Sequence, residues 1–476
     1  MKTSPPETII TDEVITAKTI KRAMDDWIAQ KDRFDTLHRY YIGKHDFSEI
    51  HADGNRIVSN FCGYIARTLR GYMVGNQPKY VCADGDSYGQ GIIDLMHRQT
   101  KWTTDAQIAL DMIRYGKAFE LVYLPVGKTE PSSTVVSPKN AFVAYAGDME
   151  RDSVFGAVVY NYTDDNDQKH YRLYLYTRTD VQVWESLDRD TAEGWHLVDG
   201  PTPHGFGRVP LIEYKNNSEC IGDFEGIMDL QDAYNALLSD RQDDKDAFAQ
   251  TMLFIQGSLI GVTPEEIEEG TKALRRHRIL QGDEETTAQW MTKTMDETGI
   301  QVLQDQYASD IHKFAMVPDL SDEQFAGNAS GIAMAYKMFG TDQMMAEKVT
   351  RFRQGFVRRI KLYDYRMYNP ANTPGYEPRT DMDGIDIVFQ FNAPQDLSYL
   401  ATALSTLTGA GIMSKATARL QIAAIPDPSE EEELVDEESR KSSEGMASSF
   451  EDDFTRTLDR AGGSGIDEED DDRPDQ

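Results

Sequence analysis

A chain of 476 residues, of which 39% are hydrophobic and 10% aromatic, is long enough to build two to four packed domains. Its 81 acidic residues against 49 basic ones leave a net charge of −32, which argues against a protein that grips nucleic acid over a broad basic face. Only three cysteines occur, with no CxxC spacing, so neither a disulfide framework nor a zinc ribbon is predicted.

The first 125 residues predict a mainly helical region. Apolar side chains recur there three or four positions apart: Ile57, Phe61, Ile65 and Leu69. From Phe119 the pattern changes to short β-branched and aromatic runs, separated by turn-rich segments such as DDND and DRDTAEG. We therefore expect an antiparallel meander that reaches to about Tyr214.

Two long helices with a small mixed unit between them are predicted next. The first carries an apolar stripe formed by Ile227, Leu230, Tyr234, Leu237, Leu238 and Phe248, and eight acids from Asp223 to Asp246 lie elsewhere on it. The mixed unit reads as the strand LFIQGSLIG, the helix TPEEIEEGTKALRRHR and the strands ILQG and AQWMTK. The second long helix stops at Pro318.

A loop and a third long helix follow. The stretch Gly-Asn-Ala-Ser-Gly ending at Gly331 reads as a loop that leads into a helix start. The helix runs from Ile332 to about Met367, with Gly340 as its predicted kink. Its apolar side consists of Val349, Phe352, Phe356, Ile360 and Tyr363. A strand, GIDIVFQFN, precedes two short helices, of which Ser414 is expected to cap the second.

The last 50 residues differ from the rest in composition. From Asp427 onward, 20 acids stand against 5 basic residues, a balance of −15. Such a segment has few apolar residues to pack, so it is predicted to be solvated and disordered.

Two short stretches imitate ligand sites but depart from the required pattern. VGKTE resembles the end of a phosphate-binding loop, yet Val122 stands where the first glycine is needed and Pro131 where the helix should begin. DGDSYGQGIIDL begins like a calcium loop, but Tyr88 replaces the fifth ligand and Leu95 the twelfth, which favours a turn.

The remaining chemistry is sparse. There is no GxSxG elbow, no HExxH spacing and no arrangement of Cys and His typical of a nucleophilic site. No catalytic, cofactor-binding or metal-binding residue is therefore predicted, and the chain is not predicted to be an enzyme. No apolar run approaches about 18 residues, so we expect neither a membrane span nor secretion.

Two basic clusters stand out against the acidic background. Arg275, Arg276 and Arg278 lie at a predicted helix C-terminus, where stabilisation by the helix dipole and partner binding explain them equally well. The third long helix carries a second cluster, which we interpret as a solvated face: Arg351, Arg353, Arg358, Arg359, Lys361 and Arg366.

Several motifs, in a fixed order, resemble those of one protein family. They are YYIGKH, GNRIVSNF, GYMVGNQPKY, YGKAFELVY, VPLIEYKNN, GDFEGIMDLQDAYNALLSDRQDD and FAGNASGIAMAYK. Together they span about Asp35 to Asn392 and resemble the portal protein of tailed bacteriophages, of the siphovirus type from Gram-positive hosts. None of these motifs is catalytic.

The resemblance implies an α+β portal fold with an α+β wing, a helical stem, a small α/β clip, a long kinked helix and a helical crown. The implied boundaries are 1–224 for the N-terminal part of the wing, 225–251 and 296–317 for the stem helices, 252–295 for the clip, 318–331 for the tunnel loop, 332–394 for the long kinked helix and returning wing strand, 395–428 for the crown and 429–476 for the acidic tail.

The resemblance also implies a function and partners. In that family about twelve copies form a ring at one capsid vertex, and double-stranded DNA passes through its channel without regard to sequence during packaging and ejection. The implied partners are the terminase large subunit, a head-tail connector or adaptor, and the major capsid and scaffolding proteins. The implied location is the virion, with the host cytoplasm during assembly.

The resemblance assigns roles to particular residues as well. The channel-facing tunnel loop would contain Gln324, Phe325, Asn328, Ala329 and Ser330, and the clip arginines Arg275, Arg276 and Arg278 would be available for protein partners. The acid-rich first stem helix would line the channel and repel phosphate, and the apolar stripes of the long helices would be buried between subunits.

Two alternatives remain open on the sequence alone. One is a non-portal structural or adaptor protein of a virion. The other is an unrecognised metal-dependent nuclease that uses some of the acidic residues.

Overall fold

The computed structural model describes residues 8–10, 15–45, 54–83, 85–249, 252–256, 263, 265, 268, 272, 287–291, 297–320, 331–368, 384–392, 397–422, 425 and 430–441. The chain divides into two compact units, Met1–Asn392 and Ala393–Gln476. Helices and strands both contribute substantially to the first unit, which confirms the α+β class predicted from the sequence.

A six-stranded sheet forms the largest β layer. Its strands, in spatial order, are β1 (Thr8–Ile10), β5 (Ala141–Ala146), β6 (Ser153–Thr163), β7 (Lys169–Tyr176), β8 (Asp180–Ser186) and β9 (His196–Pro203). The pairs from β5 to β9 are antiparallel, as predicted, whereas β1 pairs with β5 in parallel. Helix α1 (Ala17–Ile28) covers one face of this sheet, where Met24 and Trp27 share a core with Phe142 and Leu173.

A second sheet contributes to the core on the opposite face of β5 and β6. Its strands, in spatial order, are β10 (Leu211–Lys215), β3 (Lys117–Tyr123) and β4 (Ser132–Val136). Phe119 and Leu211 share a core with Val143 and Val158, which point away from α1 because side chains alternate along a strand. The prediction of one meander from Phe119 to Tyr214 is therefore wrong: the two apolar faces of β5 and β6 each need a separate cover.

Four further helices and a two-stranded sheet complete this part of the chain: α2 (Lys31–Tyr41), α3 (Phe61–Val74), α4 (Ser87–Arg98), α5 (Lys101–Tyr115), and β2 (Lys79–Cys82) paired with β13 (Ile385–Val388). Asp86 caps α4 by accepting a 2.9 Å hydrogen bond from the Gly89 N–H, so the stretch that imitates a calcium loop begins a helix. Ile57 was wrongly assigned to a helix, because α3 begins only at Phe61.

The long helices appear in the predicted order. They and the strands between them are α6 (Met228–Ala249), which follows a 3₁₀ turn at Glu225–Ile227, β11 (Met252–Gln256) paired antiparallel with β12 (Thr287–Met291), α7 (Glu297–Phe314) and α8 (Gly331–Tyr368). Helix α7 ends before Pro318. Helix α8 is continuous through Gly340, and a kink there stays a prediction.

The second unit contains α9 (Leu397–Gly409) and α10 (Lys415–Leu420). Ser414 caps α10 by accepting a 3.1 Å hydrogen bond from the Thr417 N–H, which confirms that prediction. Residues 430–441 are also helical, whereas the sequence predicted disorder there. An ion pair between Glu437 and Lys441, one helical turn apart at 2.8 Å, helps this acidic stretch to be helical.

Helix α8 presents one buried face to the rest of its unit. The inward-facing residues lie three or four positions apart: Met338, Thr341, Met345, Lys348, Phe352, Phe356, Arg359 and Tyr363. The aromatic members pack inside the same chain, for example Phe352 against Tyr214 with ring centroids 5.1 Å apart. Gly355 permits this approach, because a Cβ there would stand 2.3 Å from the Tyr214 ring. The expectation that this stripe is buried between subunits is therefore wrong.

Arg359 is fully buried and joins α8 to α5 and β3. Its guanidinium donates to Asp105 at 2.6 Å and to Glu120 at 2.9 Å, and both carboxylates are also fully buried. Tyr80 donates to Asp105 at 2.5 Å and Tyr214 to Glu120 at 2.7 Å. The interpretation of the basic residues of α8 as one solvated face is therefore wrong for Arg359, because two buried carboxylates compensate its charge.

The structure predicts that Arg359→Met destabilises the fold. The variant leaves Asp105 and Glu120 buried without the cation that hydrogen-bonds to both, and burial already raises the pKa of the Asp105 carboxyl. We expect the free energy of unfolding, measured by urea titration, to fall by about 3–5 kcal/mol. The matched variant Arg351→Met, at a partly exposed position of the same helix, should change it by less than about 0.5 kcal/mol. Equal effects of the two variants would contradict the role of the buried ion cluster.

Candidate functional site

The candidate site is the junction between α7 and α8. The five residues to which the resemblance assigns a channel role lie between these helices, outside the described residues: Gln324, Phe325, Asn328, Ala329 and Ser330. The clip candidates also lie outside them: Arg275, Arg276 and Arg278. The structure does place the two ends of the 321–330 segment, and their surroundings define what holds it.

The C-terminal end of α7 is anchored by burial and by a turn. Ala315 and Val317 are buried, and the Val317 N–H donates to the His312 carbonyl at 3.1 Å. The His312 ring bonds the Val317 carbonyl through Nδ1 at 3.0 Å and meets the rings of Phe61 and Tyr64 edge-on. These contacts fix the direction in which the chain leaves α7.

The N-terminal part of α8 is tied to the same junction. The Thr341 hydroxyl, 3% exposed, donates to the Met316 carbonyl at 2.6 Å, so it links α8 directly to the turn after α7. One residue further, Asp342 accepts a hydrogen bond from the Tyr72 hydroxyl of α3. Burial, followed by the Asp342 carboxylate, raises the pKa of Tyr72, which keeps this phenol protonated.

Lys348 provides a further polar anchor on the buried face of α8. Its ammonium group donates to Asn216 at 2.6 Å and to Asp223 at 2.5 Å. Asp223 immediately precedes the segment that leads into α6, so this ion pair connects α8 to the start of the first long helix. Thr341, Lys348 and Arg359 thus fix α8 at three separate places.

Large apolar side chains remain exposed on both sides of the 321–330 segment. On the α7 side they are Phe314, Met316 and Leu320, which are 62%, 55% and 49% exposed. On the α8 side Tyr336 is 80% and Phe339 58% exposed. Large exposed apolar patches often belong to surfaces that contact another molecule.

Helix α6 binds an extended segment of the chain through a ladder of polar side chains. Its residues Gln231, Asn235, Ser239 and Asp243 accept hydrogen bonds of 2.8 to 3.1 Å from the N–H groups of Phe61, Ser59, Ile57 and Asn55, respectively. Four helical residues rise about 6 Å and two extended residues about 6.6 Å, so the two periods match. The ladder thus provides side-chain acceptors on α6 for four backbone donors of this segment.

This ladder was not predicted from the sequence, because the apolar residues of α6 indicate a different buried face. Leu230, Leu237 and Leu238 are only half-buried, whereas Gln231 and Asn235 are fully buried. The available signal was a short polar side chain at every fourth position, which places four hydrogen-bonding groups on one helical face.

The acids near α6 also have internal uses that the sequence did not reveal. Asp223 pairs with Lys348, and Glu225 with Arg33 at 2.7 Å. Asp232 accepts from the Tyr40 hydroxyl, and Asp243 and Asp246 accept from Asn55. At least five of the eight acids are therefore engaged by their own chain, and the expectation that this helix contributes an acidic channel lining rests on fewer carboxylates than the sequence count suggests.

A cluster of polar contacts also joins the two long helices. Arg241 of α6 donates to Glu297 of α7 at 2.7 Å and to Gln304 at 2.8 Å. Gln304 in turn donates to the Tyr234 hydroxyl at 3.2 Å. Helices α6 and α7 therefore form one paired element, and the paired strands β11 and β12 lie between them in the sequence.

Comparison with known proteins identifies the family. Residues 20–445 match the family model described as "Phage portal protein, SPP1 Gp6-like". The chain belongs to this family. It is also 27% identical over 325 residues to the portal protein of Bacillus phage SPP1, a match that covers 65% of this chain and 62% of that relative's length.

Membership in the portal family decides between the readings left open by the sequence. The family is structural and non-enzymatic, so the alternative of a metal-dependent nuclease is not supported. The portal match extends beyond both ends of the motifs that carried the resemblance. None of the helices in the described ranges is long and apolar enough to span a bilayer.

The hydrogen bond at the junction between α7 and α8 can be tested with the variant Thr341→Val. This nearly isosteric change removes the hydroxyl that donates to the Met316 carbonyl, so we expect a loss of about 1–3 kcal/mol in the local free energy of opening. Hydrogen exchange of the amides of residues 315–317 measures it and should be faster in the variant. Thr341→Ser, which keeps the hydroxyl, is the control; equally fast exchange in both variants would show that the hydrogen bond does not hold the junction.

Proposed function

We propose that this portal-family chain forms a closed ring at one capsid vertex, through which double-stranded DNA is packaged and later ejected. The observation that carries the proposal is the family match over residues 20–445, which includes every long helix of the first unit. The ring would be a homododecamer that binds the terminase large subunit and a head-tail connector and contacts the major capsid and scaffolding proteins.

The elements of the first unit support the portal layout in their order. We propose that the two sheets and helices α1 to α5 form the wing, that α6 and α7 form the stem, and that residues 252–295 form the clip. The antiparallel pair β11 and β12 lies between the two stem helices in sequence, as a clip would. We further propose that α8 supports the tunnel loop 318–331 and that residues 395–428 form the crown.

The charge and size of the predicted loop residues support a channel role. Asn328, Ala329 and Ser330 are small and uncharged, so they would contact a passing polymer weakly and reversibly. A basic surface would instead hold DNA through salt-dependent phosphate contacts. The proposed tunnel loop also contains Gln324 and Phe325, and the proposed partner-binding arginines of the clip are Arg275, Arg276 and Arg278.

The exposed apolar residues at the junction support ring closure. Phe314, Tyr336 and Phe339 expose most of their side chains in the single chain, and a closed ring offers each of them a neighbouring subunit. Because a ring contact joins two different surfaces, an apolar patch on one copy would meet another patch on the next.

The first prediction of this proposal concerns Phe339→Asp. A carboxylate at this 58% exposed position would have to be desolvated in the ring but not in the free chain. We expect the protein concentration needed for half-maximal ring formation to be about ten-fold higher, or more, than that of the wild type. Native mass spectrometry measures it, with a wild-type dodecamer of 53.8 kDa chains at about 646 kDa.

The control for this variant is Met149→Asp, which places the same charge at a fully exposed apolar residue in the turn between β5 and β6. Circular dichroism should show that both variants fold. A wild-type chain that stays monomeric or dimeric at all concentrations would contradict the ring itself. Normal rings of Phe339→Asp would contradict only the proposed contact.

The second prediction concerns Asn328→Lys in the proposed tunnel loop. In a ring of about twelve copies this change adds about twelve positive charges next to DNA phosphates, which creates a salt-dependent grip. We expect normal rings but shorter packaged DNA in capsids that carry the variant, with a larger defect at low salt.

Asn166→Lys, at an exposed residue in the turn between β6 and β7, is the matched control because it adds the same charge to the proposed wing. Its capsids should package DNA of wild-type length. Packaging by Asn328→Lys at the wild-type length and rate at every ionic strength would contradict the tunnel-loop assignment.

A further inference from the structure

Four basic side chains converge on a small cleft between the long helix and the two sheets. Arg358 and Lys361 come from successive turns of α8, Arg178 from the turn between β7 and β8, and Arg208 from the segment before β10. The bottom of the cleft is apolar and buried, and includes Leu211. Residues that are far apart in the sequence thus form one basic concavity in a chain of net charge −32.

Local packing brings Arg208 to this position. Gly207 has a φ of +66°, and a Cβ there would stand 2.7 Å from the Tyr365 ring of α8. Glycine meets both conditions, since it adopts positive φ without strain and has no Cβ. The segment can therefore lie directly against the helix that carries Arg358 and Lys361.

The acidic groups around the cleft do not balance its basic ones. Within the described ranges, the lining contains one carboxylate, Asp152, whose Oδ2 lies 3.8 Å from an Arg178 nitrogen. No carboxylate of the described residues lies at ion-pair distance from Arg208 or Lys361. The adjoining groove contains two more acids, Asp148 and Glu150.

Nearby side chains extend the positive region beneath Arg358. Its guanidinium lies 5.9 Å from the centre of the Tyr145 ring, and the Lys215 ammonium lies 5.2 Å from the same ring. Tyr145 donates to Glu213, which also pairs with Lys117. Burial is the main cause that lowers the pKa of Lys215, and repulsion from Arg358 and Arg351 adds to it, whereas Cys220 acts in the opposite direction.

The size of the cleft restricts the ligand. Its free volume is about 50 Å³, whereas sites for nucleotide-sized ligands typically measure about 300 Å³ or more. The cleft is therefore too small for a nucleotide but has room for a small anionic group. Arginine side chains suit a carboxylate because two parallel hydrogen bonds can form.

We propose that this cleft binds a carboxylate side chain of a neighbouring copy of the same chain. The inference rests on the proposed ring. Each copy carries 81 acidic residues and 49 basic ones, so the surface that a neighbour presents is rich in carboxylates. Adjacent copies of such a chain repel each other, and a basic cleft that receives an acid would offset the repulsion at the contact.

The test is the variant Arg208→Glu/Lys361→Glu, which reverses two charges contributed by different elements. It does not change Arg358, so the contact between Arg358 and the Tyr145 ring is kept. Ring formation is followed by native mass spectrometry across protein concentrations and at about 0.1 M and about 1 M NaCl, where the Debye length falls from about 10 to about 3 Å. At the lower salt, we expect the variant to need a protein concentration for half-maximal ring formation that is about ten-fold higher, or more, than that of the wild type. At the higher salt, we expect a smaller difference between the two.

Two control variants accompany it. Lys18→Glu/Arg22→Glu makes the same change of charge at exposed residues one turn apart on α1 and should assemble as the wild type does. Arg208→Lys/Lys361→Arg keeps both charges and should also assemble. Urea unfolding of each variant shows whether the monomer remains folded.

The outcomes separate the two proposals. A wild-type chain that forms no rings would contradict the proposed function and, with it, the cleft. Wild-type rings together with equal assembly of the cleft and α1 variants would overturn the cleft proposal alone. Normal rings of the cleft variant combined with weakened binding of a linear DNA duplex would also overturn it, because the cleft would then be a phosphate site.

Discussion

The buried ion cluster around Arg359 holds the first unit together. One guanidinium on α8 compensates the carboxylates of Asp105 on α5 and Glu120 on β3, to which Tyr80 and Tyr214 donate one further hydrogen bond each. Such a cluster contributes little net stability compared with an apolar core, but it strongly penalises any arrangement that separates its charges. It therefore selects one position of α8 relative to the sheets.

Two further polar anchors use the same principle at other points of α8. Lys348 binds the segment that leads into α6, and Thr341 binds the turn after α7. The consequence is that α8 cannot shift along its axis without breaking three different sets of hydrogen bonds. In the proposed ring, the tunnel loop would be attached to a helix with a fixed position. The exposed apolar residues on either side of the loop would face the neighbouring subunit.

The strongly acidic composition has two different roles in this chain. Several acids of α6 and of the segment before it are internal hydrogen-bond acceptors, so an acid-rich helix is not by itself an acidic surface. The basic residues are also divided: Arg359 lies in the core, Arg353 pairs with Asp386 at 3.1 Å, and Arg358 and Lys361 line the proposed cleft. The net charge of the chain therefore does not show the charge of any one surface. In the proposed ring, it would instead contribute to the repulsion between neighbouring copies.

The sequence by itself determined the α+β class, the order of the long helices, the Ser414 cap and the family, because these depend on local periodicity, capping chemistry and motif order. Only the tertiary structure decided which strands share a sheet, which face of α6 is buried and where Arg359 lies. Those features depend on partners distant in the sequence, such as Asp105 for Arg359 and Ser59 for Asn235. A polar residue on a helix has the same local pattern whether it faces water or a buried carboxylate, and only the fold supplies the partner that makes burial favourable.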